Sequence, residues 1–221
     1  MAKQLFAFFL LLALFPLAPL TGADNFKVES IAALKDAAVN ETTRGVLEEK
    51  GLRVTDDKGK TVCDIWFRKE VPVGKEEIPG ASFGQIAEGT LVGVINFPSN
   101  TSDFRGQGIK AGWYTLRYSL ILQDGNHLGV SPARDFFLIC PAADDKDPNA
   151  AMKMDEMLKL SRAAAGAGHP SPWYFGMATS AEKELPKVVK NEHEHVILET
   201  TLKTKSGLLA IGLIVIGRTE G

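Results

Sequence analysis

Near the C-terminus, the stretch NEHEHVILETTLKTKSGLLAIGLIVIG sets His193 and His195 two residues apart at the start of a hairpin-like pattern. Imidazoles at that spacing on a strand project from one face and can share a zinc or copper ion, provided further donors come from a neighbouring strand or loop. His193, His195, Ile197, Glu199 and Thr201 fall on one face of this strand. Val196, Leu198, Thr200 and Leu202 fall on the other, so the histidines are expected on the outer, wet side. The return segment from Leu208 to Gly217 contains no His, Cys, Asp or Glu. Remaining ligands must therefore come from Glu199, from His127 or His169, or from the strand on the other side. Solvated polar residues are the favoured reading of the pair, and a zinc or copper site is the alternative.

Cys63 sits in TVCDIWF on the alternating face of Ile65 and Phe67, and Cys140 closes the apolar run FFLIC. In an oxidising compartment such core cysteines either form a disulfide or stay as two buried thiols, and both readings stand. Neither has a neighbouring histidine or a helix start to lower its pKa, which argues against a catalytic thiol. His127, beside the Asp124-Gly125-Asn126 turn, and His169, in GAGHPSPW, are candidate acid–base groups for a hydrolase, without an adjacent nucleophile or orienting carboxylate. The run GHPSPWYFGM groups Trp173, Tyr174 and Phe175, aromatics suited to a binding surface or equally to a lid over the core. Asp144, Asp145 and Asp147 lack the spacing of a calcium loop and suit an acidic helix start better. Met152, Met154 and Met157 do not share one helical face and read as packing. The chain has no G-x-S-x-G, H-E-x-x-H, glycine-rich phosphate loop or C-x-x-C, so an enzyme is the weaker expectation.

The elements that must position these groups are mostly strands. The opening MAKQLFAFFLLLALFPLAPLTGAD carries one lysine, an apolar run broken by Pro16 and Pro19, and small residues before an expected cleavage after Ala23. That is the pattern of a secretory signal, shorter than a bilayer span, and predicts a secreted or periplasmic chain without a transmembrane anchor after cleavage. The remainder is expected to form a single domain. A net charge of −2 with no basic block gives no reason to expect nucleic acid as a partner. Asn40-Glu41-Thr42 and Asn100-Thr101-Ser102 match the glycosylation pattern, which matters only in a eukaryotic secretory route.

Thr42 or Thr43 as N-cap and Gly51 as stop predict a short helix near residues 43–50. Two extended runs around Asp56-Asp57-Lys58-Gly59 predict a hairpin. Tyr114, Leu116, Tyr118, Leu120 and Leu122 alternate with Thr115, Arg117, Ser119 and Ile121, and the first set should face the core. Asp147-Pro148-Asn149 and the alanine-rich run beyond it predict a helical insertion near 148–165. Unbroken apolarity from Leu208 to Ile216 predicts a C-terminal strand inside the sheet, covered on both faces.

The segment GIKAGWYTLRY, with Lys110, Ala111, Gly112, Tyr114 and Leu116, resembles the opening of the central strand in secreted prealbumin-like and carboxypeptidase-regulatory-like β-sandwich modules. The resemblance implies an accessory or binding domain and transfers no catalytic residue. The expectation is thus a mainly β antiparallel sandwich with a short N-terminal helix and one helical insertion. Its expected role is non-catalytic binding of a protein, a glycan or an envelope component.

Overall fold

In an extended chain successive side chains turn to opposite faces, so a strand such as GWYTLRYSL can bury Tyr114, Leu116, Tyr118 and Leu120 while sending Arg117 the other way. The computed structural model describes residues 26–74, 78–121, 134–166 and 168–219. The described strands are β1 (Lys27–Ile31), β2 (Gly51–Thr55), β3 (Thr61–Phe67), β4 (Leu91–Phe97), β5 (Thr101–Ser102) and β6 (Gly108–Ile109). They continue as β7 (Gly112–Leu120), β8 (Asp135–Pro141), β9 (Pro172–Met177), β10 (Lys187–Lys190), β11 (Val196–Thr204) and β12 (Gly207–Ile216). The described α-helices are α1 (Glu41–Val46) and α2 (Met154–Ala165).

Ten of these strands form one antiparallel sheet in the order β1-β2-β3-β4-β7-β8-β9-β12-β11-β10, and β5 pairs only with β6. The outer strands β1 and β10 approach each other, so the sheet curls into a nearly closed barrel. The mainly β, antiparallel expectation holds, with one curled sheet enclosing the core. β10, β11 and β12 follow as a meander, and a long connection returns β9 beside β12, the Greek-key arrangement. The β2–β3 turn forms where expected: the Asp56 carboxylate accepts from the backbone of Lys58 and Lys60, and Gly59 supplies a φ of +75°.

Inside the barrel, Phe137 and Phe175 stack with centroids 3.9 Å apart, and Phe97 stacks on Trp173 at 4.9 Å. β12 lies inside the sheet and buries Ile211, Leu213 and Val215. Its outer face is only partly covered, contrary to expectation: Ile214 is buried, but Leu208 and Ile216 are 47% and 41% exposed.

Both helices differ from expectation at their starts. Asn40, not Thr42 or Thr43, caps α1 by accepting from the Thr43 amide at 2.9 Å, because Thr43 points into the core. That cap also buries the Asn40 amide nitrogen, the atom a glycan would need. Gly51 opens β2 instead of stopping a helix, since a Cβ there would meet the Trp66 indole at 2.5 Å. α2 begins at Met154 because the carbonyls of Asp147, Pro148 and Ala150 are taken by arginines from the barrel wall, which holds this stretch out of helix. It ends, as expected, at Gly166 with φ +59°.

The disulfide expectation is corrected: Cys63 and Cys140 are both free and buried. β3 and β8 are three strand spacings apart in the sheet, roughly 14 Å. The side chains also lie on opposite faces. Cys63 packs in the barrel core, while Cys140 lies outside it, with Sγ 3.9 Å from the Met157 carbonyl of α2. The expected leader at residues 1–23, and the Asp124–Asn126 turn with Leu122 and His127, lie outside the described residues.

Candidate ligand-binding site

Arg117 points out of the barrel from β7, yet it is completely buried, because the chain leading into α2 folds over it. Nε and Nη2 donate to the two Asp145 oxygens at 2.8 and 2.6 Å. Nη1 donates to the Gly89 and Ala150 carbonyls and Nη2 also to that of Asp147, each at 2.7 Å. Thr115 completes the Asp145 shell at 2.6 Å. A guanidinium has five N–H donors in a fixed fork, and here each has an acceptor. The ion pair is therefore a structural bolt that fixes residues 145–150 and, through them, the start of α2.

α2 then lies across the outer face of β7 and β8 and buries Met157, Ser161 and Ala164 against it. Ser161 accepts the Ser171 amide at 2.8 Å, tying the helix to the segment that enters β9. A second tie comes from Asp103, wholly buried at the base of the loop between β5 and β6. Its carboxylate accepts from the amides of Arg105 and Gln107 and from the Gln107 side chain, which also donates to the Pro170 carbonyl. Burial raises the Asp103 pKa above the usual carboxylate value, with the bonds from Gln107 and Arg105 opposing it.

These ties frame a cavity of about 230 Å³ between α2, the outer side of β7–β8 and the 169–172 segment. Its floor is apolar, with Ile121, Phe136, Leu138, Met154 and Leu158. Its polar groups are Arg105, Arg162 and His169, and no carboxylate lines it among the described residues. All three are exposed at the mouth, and neither arginine has an ion-pair partner among the described residues. An apolar floor under unpaired guanidinium groups suits a small molecule with a hydrophobic body and a negative end.

A second, more open cavity of about 620 Å³ is lined by Arg105, His193, Glu194, His195, Gly217, Arg218 and Thr219. Here the expectation that both histidines stand on the wet outer face is corrected for His195, which is only 9% exposed. Glu194 has a φ of +60°, and β11 begins only at Val196, so the alternation does not extend back to His193. His195 Nε2 donates to the Arg218 carbonyl at 3.1 Å, an oxygen that can only accept. Its Nδ1 lies 3.3 Å from the Asn191 side-chain nitrogen, whose partner oxygen already accepts the His193 and His195 amides. The network thus assigns Nε2–H and an accepting Nδ1, and both ring nitrogens are engaged.

His193 lies 5.7 Å from His195 between ring centroids and 3.6 Å from Glu192. Among the described residues no three His, Cys, Asp or Glu side chains gather as a metal-holding set. Glu199 is occupied elsewhere. Burial pushes it up, but bonds from Ser180 and Thr179 outweigh that and hold it below its usual value. His169 belongs to the first cavity, so the histidine candidates are divided between two places.

Of the two readings of the aromatic run, the binding surface is corrected for Trp173 and Phe175: the run forms β9, and these two are 3% and 0% exposed in the barrel core, leaving them no surface to offer a ligand. Tyr174 alone turns outward and packs on Phe104 at 5.5 Å. The residues that line the first cavity came from separate segments, and only His169 among them stood out as a candidate from sequence. Arg117 carried a readable signal, an arginine in the middle of an alternating strand with an acidic run downstream to match it. Comparison with family models, with curated proteins and with solved structures finds no match for this chain.

Proposed function

We propose that this protein is a non-catalytic binding module that holds a small amphipathic anion in the cavity beneath α2. The observation that carries the reading is the pairing of an apolar floor with Arg105 and Arg162 at the mouth, which among the described residues have no ion-pair partner and no lining carboxylate beside them. A cavity near 150 Å³ accepts benzene, so about 230 Å³ accommodates a short acyl chain or a substituted ring. The buried acids support a binding role over a catalytic one: Asp103, Asp135, Asp145 and Glu199 are each engaged in hydrogen bonds that anchor loops. The leader pattern at residues 1–23 supports work outside the cytoplasm, where an envelope-derived or environmental acyl acid would be met.

Calorimetric titration with octanoate and octylamine tests the reading. Octanoate is expected to bind with Kd on the order of 0.1 mM, about −5.5 kcal/mol, and octylamine not to bind. Leu158→Trp, which fills the cavity from a half-buried position on α2, should abolish octanoate binding while the fold remains. Equal binding of anion and amine, or octanoate binding unaffected by Leu158→Trp, would overturn the assignment.

A further inference from the structure

Arg105 lines both cavities, and the loop that carries it is bonded to the walls of each. The Phe104 amide donates to the Pro172 carbonyl at 3.2 Å, on the side of the α2 cavity. The Phe104 carbonyl accepts the Thr219 amide at 2.7 Å, on the side of the second cavity. The Phe104 ring is buried between Tyr174 and His195, with centroid distances of 5.5 and 5.6 Å. The two cavities are therefore neighbouring compartments across one seated residue, with Arg105 common to the lining of both.

The second compartment is polar where the first is apolar. It adds the Arg218 guanidinium and the exposed His193 ring. Among the described residues its one carboxylate, Glu194, accepts from Lys190 at 2.6 Å. Arg218, like Arg105, has no ion-pair partner among the described residues. The His195 ring holds the Arg218 backbone carbonyl, which fixes where that side chain starts. A monocarboxylate can occupy one guanidinium, whereas Arg105 and Arg218 together match a group of higher charge with more acceptor oxygens.

We infer that the ligand is a phosphate monoester of an apolar alcohol, its hydrocarbon beneath α2 and its phosphate held between Arg105 and Arg218. This rests on the amphipathic-anion reading above and specifies the head group. The same head-group chemistry is present in a free phosphate ion, so the test separates the two. The protein and its Arg218→Ala variant are titrated by calorimetry with octyl phosphate, octanoate and inorganic phosphate.

Octyl phosphate should bind about tenfold more tightly than octanoate or inorganic phosphate, the gain expected of one added charge-assisted contact. Arg218→Ala should remove about that tenfold from octyl phosphate and leave octanoate unchanged. Equal affinity for octyl phosphate and octanoate, with Arg218→Ala affecting neither, overturns the head-group assignment while the α2 cavity reading stands. Inorganic phosphate binding as tightly as octyl phosphate overturns it by making the hydrocarbon irrelevant. Binding of none of the three removes both readings together.

Discussion

Replacing Arg117 by Met keeps much of the side-chain volume and removes all five donors. The loss comprises two bonds to Asp145, at 2.6 and 2.8 Å, and one each to the Gly89, Ala150 and Asp147 carbonyls, at 2.7 Å. Asp145 is left wholly buried with the Thr115 hydroxyl as its remaining side-chain donor, at 2.6 Å. Breaking one side of a buried ion pair costs about 3–5 kcal/mol, because an uncompensated charge stays behind. Three carbonyls losing their partners place this site at the upper end, about 5 kcal/mol. For a chain of this size that is a fall in Tm of roughly 10–20 °C. The double variant Arg117→Met/Asp145→Leu strands the three carbonyls and leaves the Thr115 hydroxyl only the Cys140 carbonyl at 3.4 Å, and should cost about 2–3 kcal/mol, less than the single change. Urea unfolding followed by tryptophan fluorescence measures both. A single-variant cost under about 1 kcal/mol, or a double variant as costly as the single, would refute the view that this pair bolts the approach to α2 in place.

Gly89→Ala should destabilise by about 2–4 kcal/mol, since φ is +85° and the new Cβ would run into the Met152 backbone; urea midpoints measure it. Denatured, unreduced protein should titrate two thiols with Ellman's reagent, and native protein almost none, because burial pushes Cys140 up to about 12 and raises Cys63 as well. Asp103 has a folded pKa above its unfolded 3.8, so the folded state holds its proton longer and this group's contribution to stability falls as pH rises through that window. Asp103→Asn should therefore remove a component of stability that is present below pH 3.8 and lost as pH rises above it, seen as wild type losing stability relative to the variant as pH rises in urea melts at each pH.

Local rules were enough where a segment's neighbours in sequence set its structure. The Asp56–Gly59 turn and the inward set Tyr114, Leu116, Tyr118 and Leu120 follow from turn chemistry and from the period of a strand. They failed where a distant group intervened. α2 starts late because Arg117 and Arg68, far away in sequence, take the carbonyls of Asp147, Pro148 and Ala150. His195 turns inward because one residue, Glu194, adopts a positive φ that no periodicity reveals. Cys63 and Cys140 each read correctly as buried, but burial does not tell which face of the sheet a side chain lies on or how many strands separate two such faces. The candidate site was least legible of all. Arg105 and His169 come from two separate connections and Arg162 from the end of a helix, and only the curled sheet brings them to one mouth.

The proposed binding requires that the cavity beneath α2, and no other apolar surface, receive the hydrophobic part of an anion. Methyl-resolved NMR of the protein titrated with octanoate tests it at the level of single side chains. Saturable shifts should centre on the methyls of Leu138, Met154 and Leu158, which line the cavity. Shifts centred instead on the exposed Met177, Leu208 and Ile216, or no saturable shift anywhere, would contradict it.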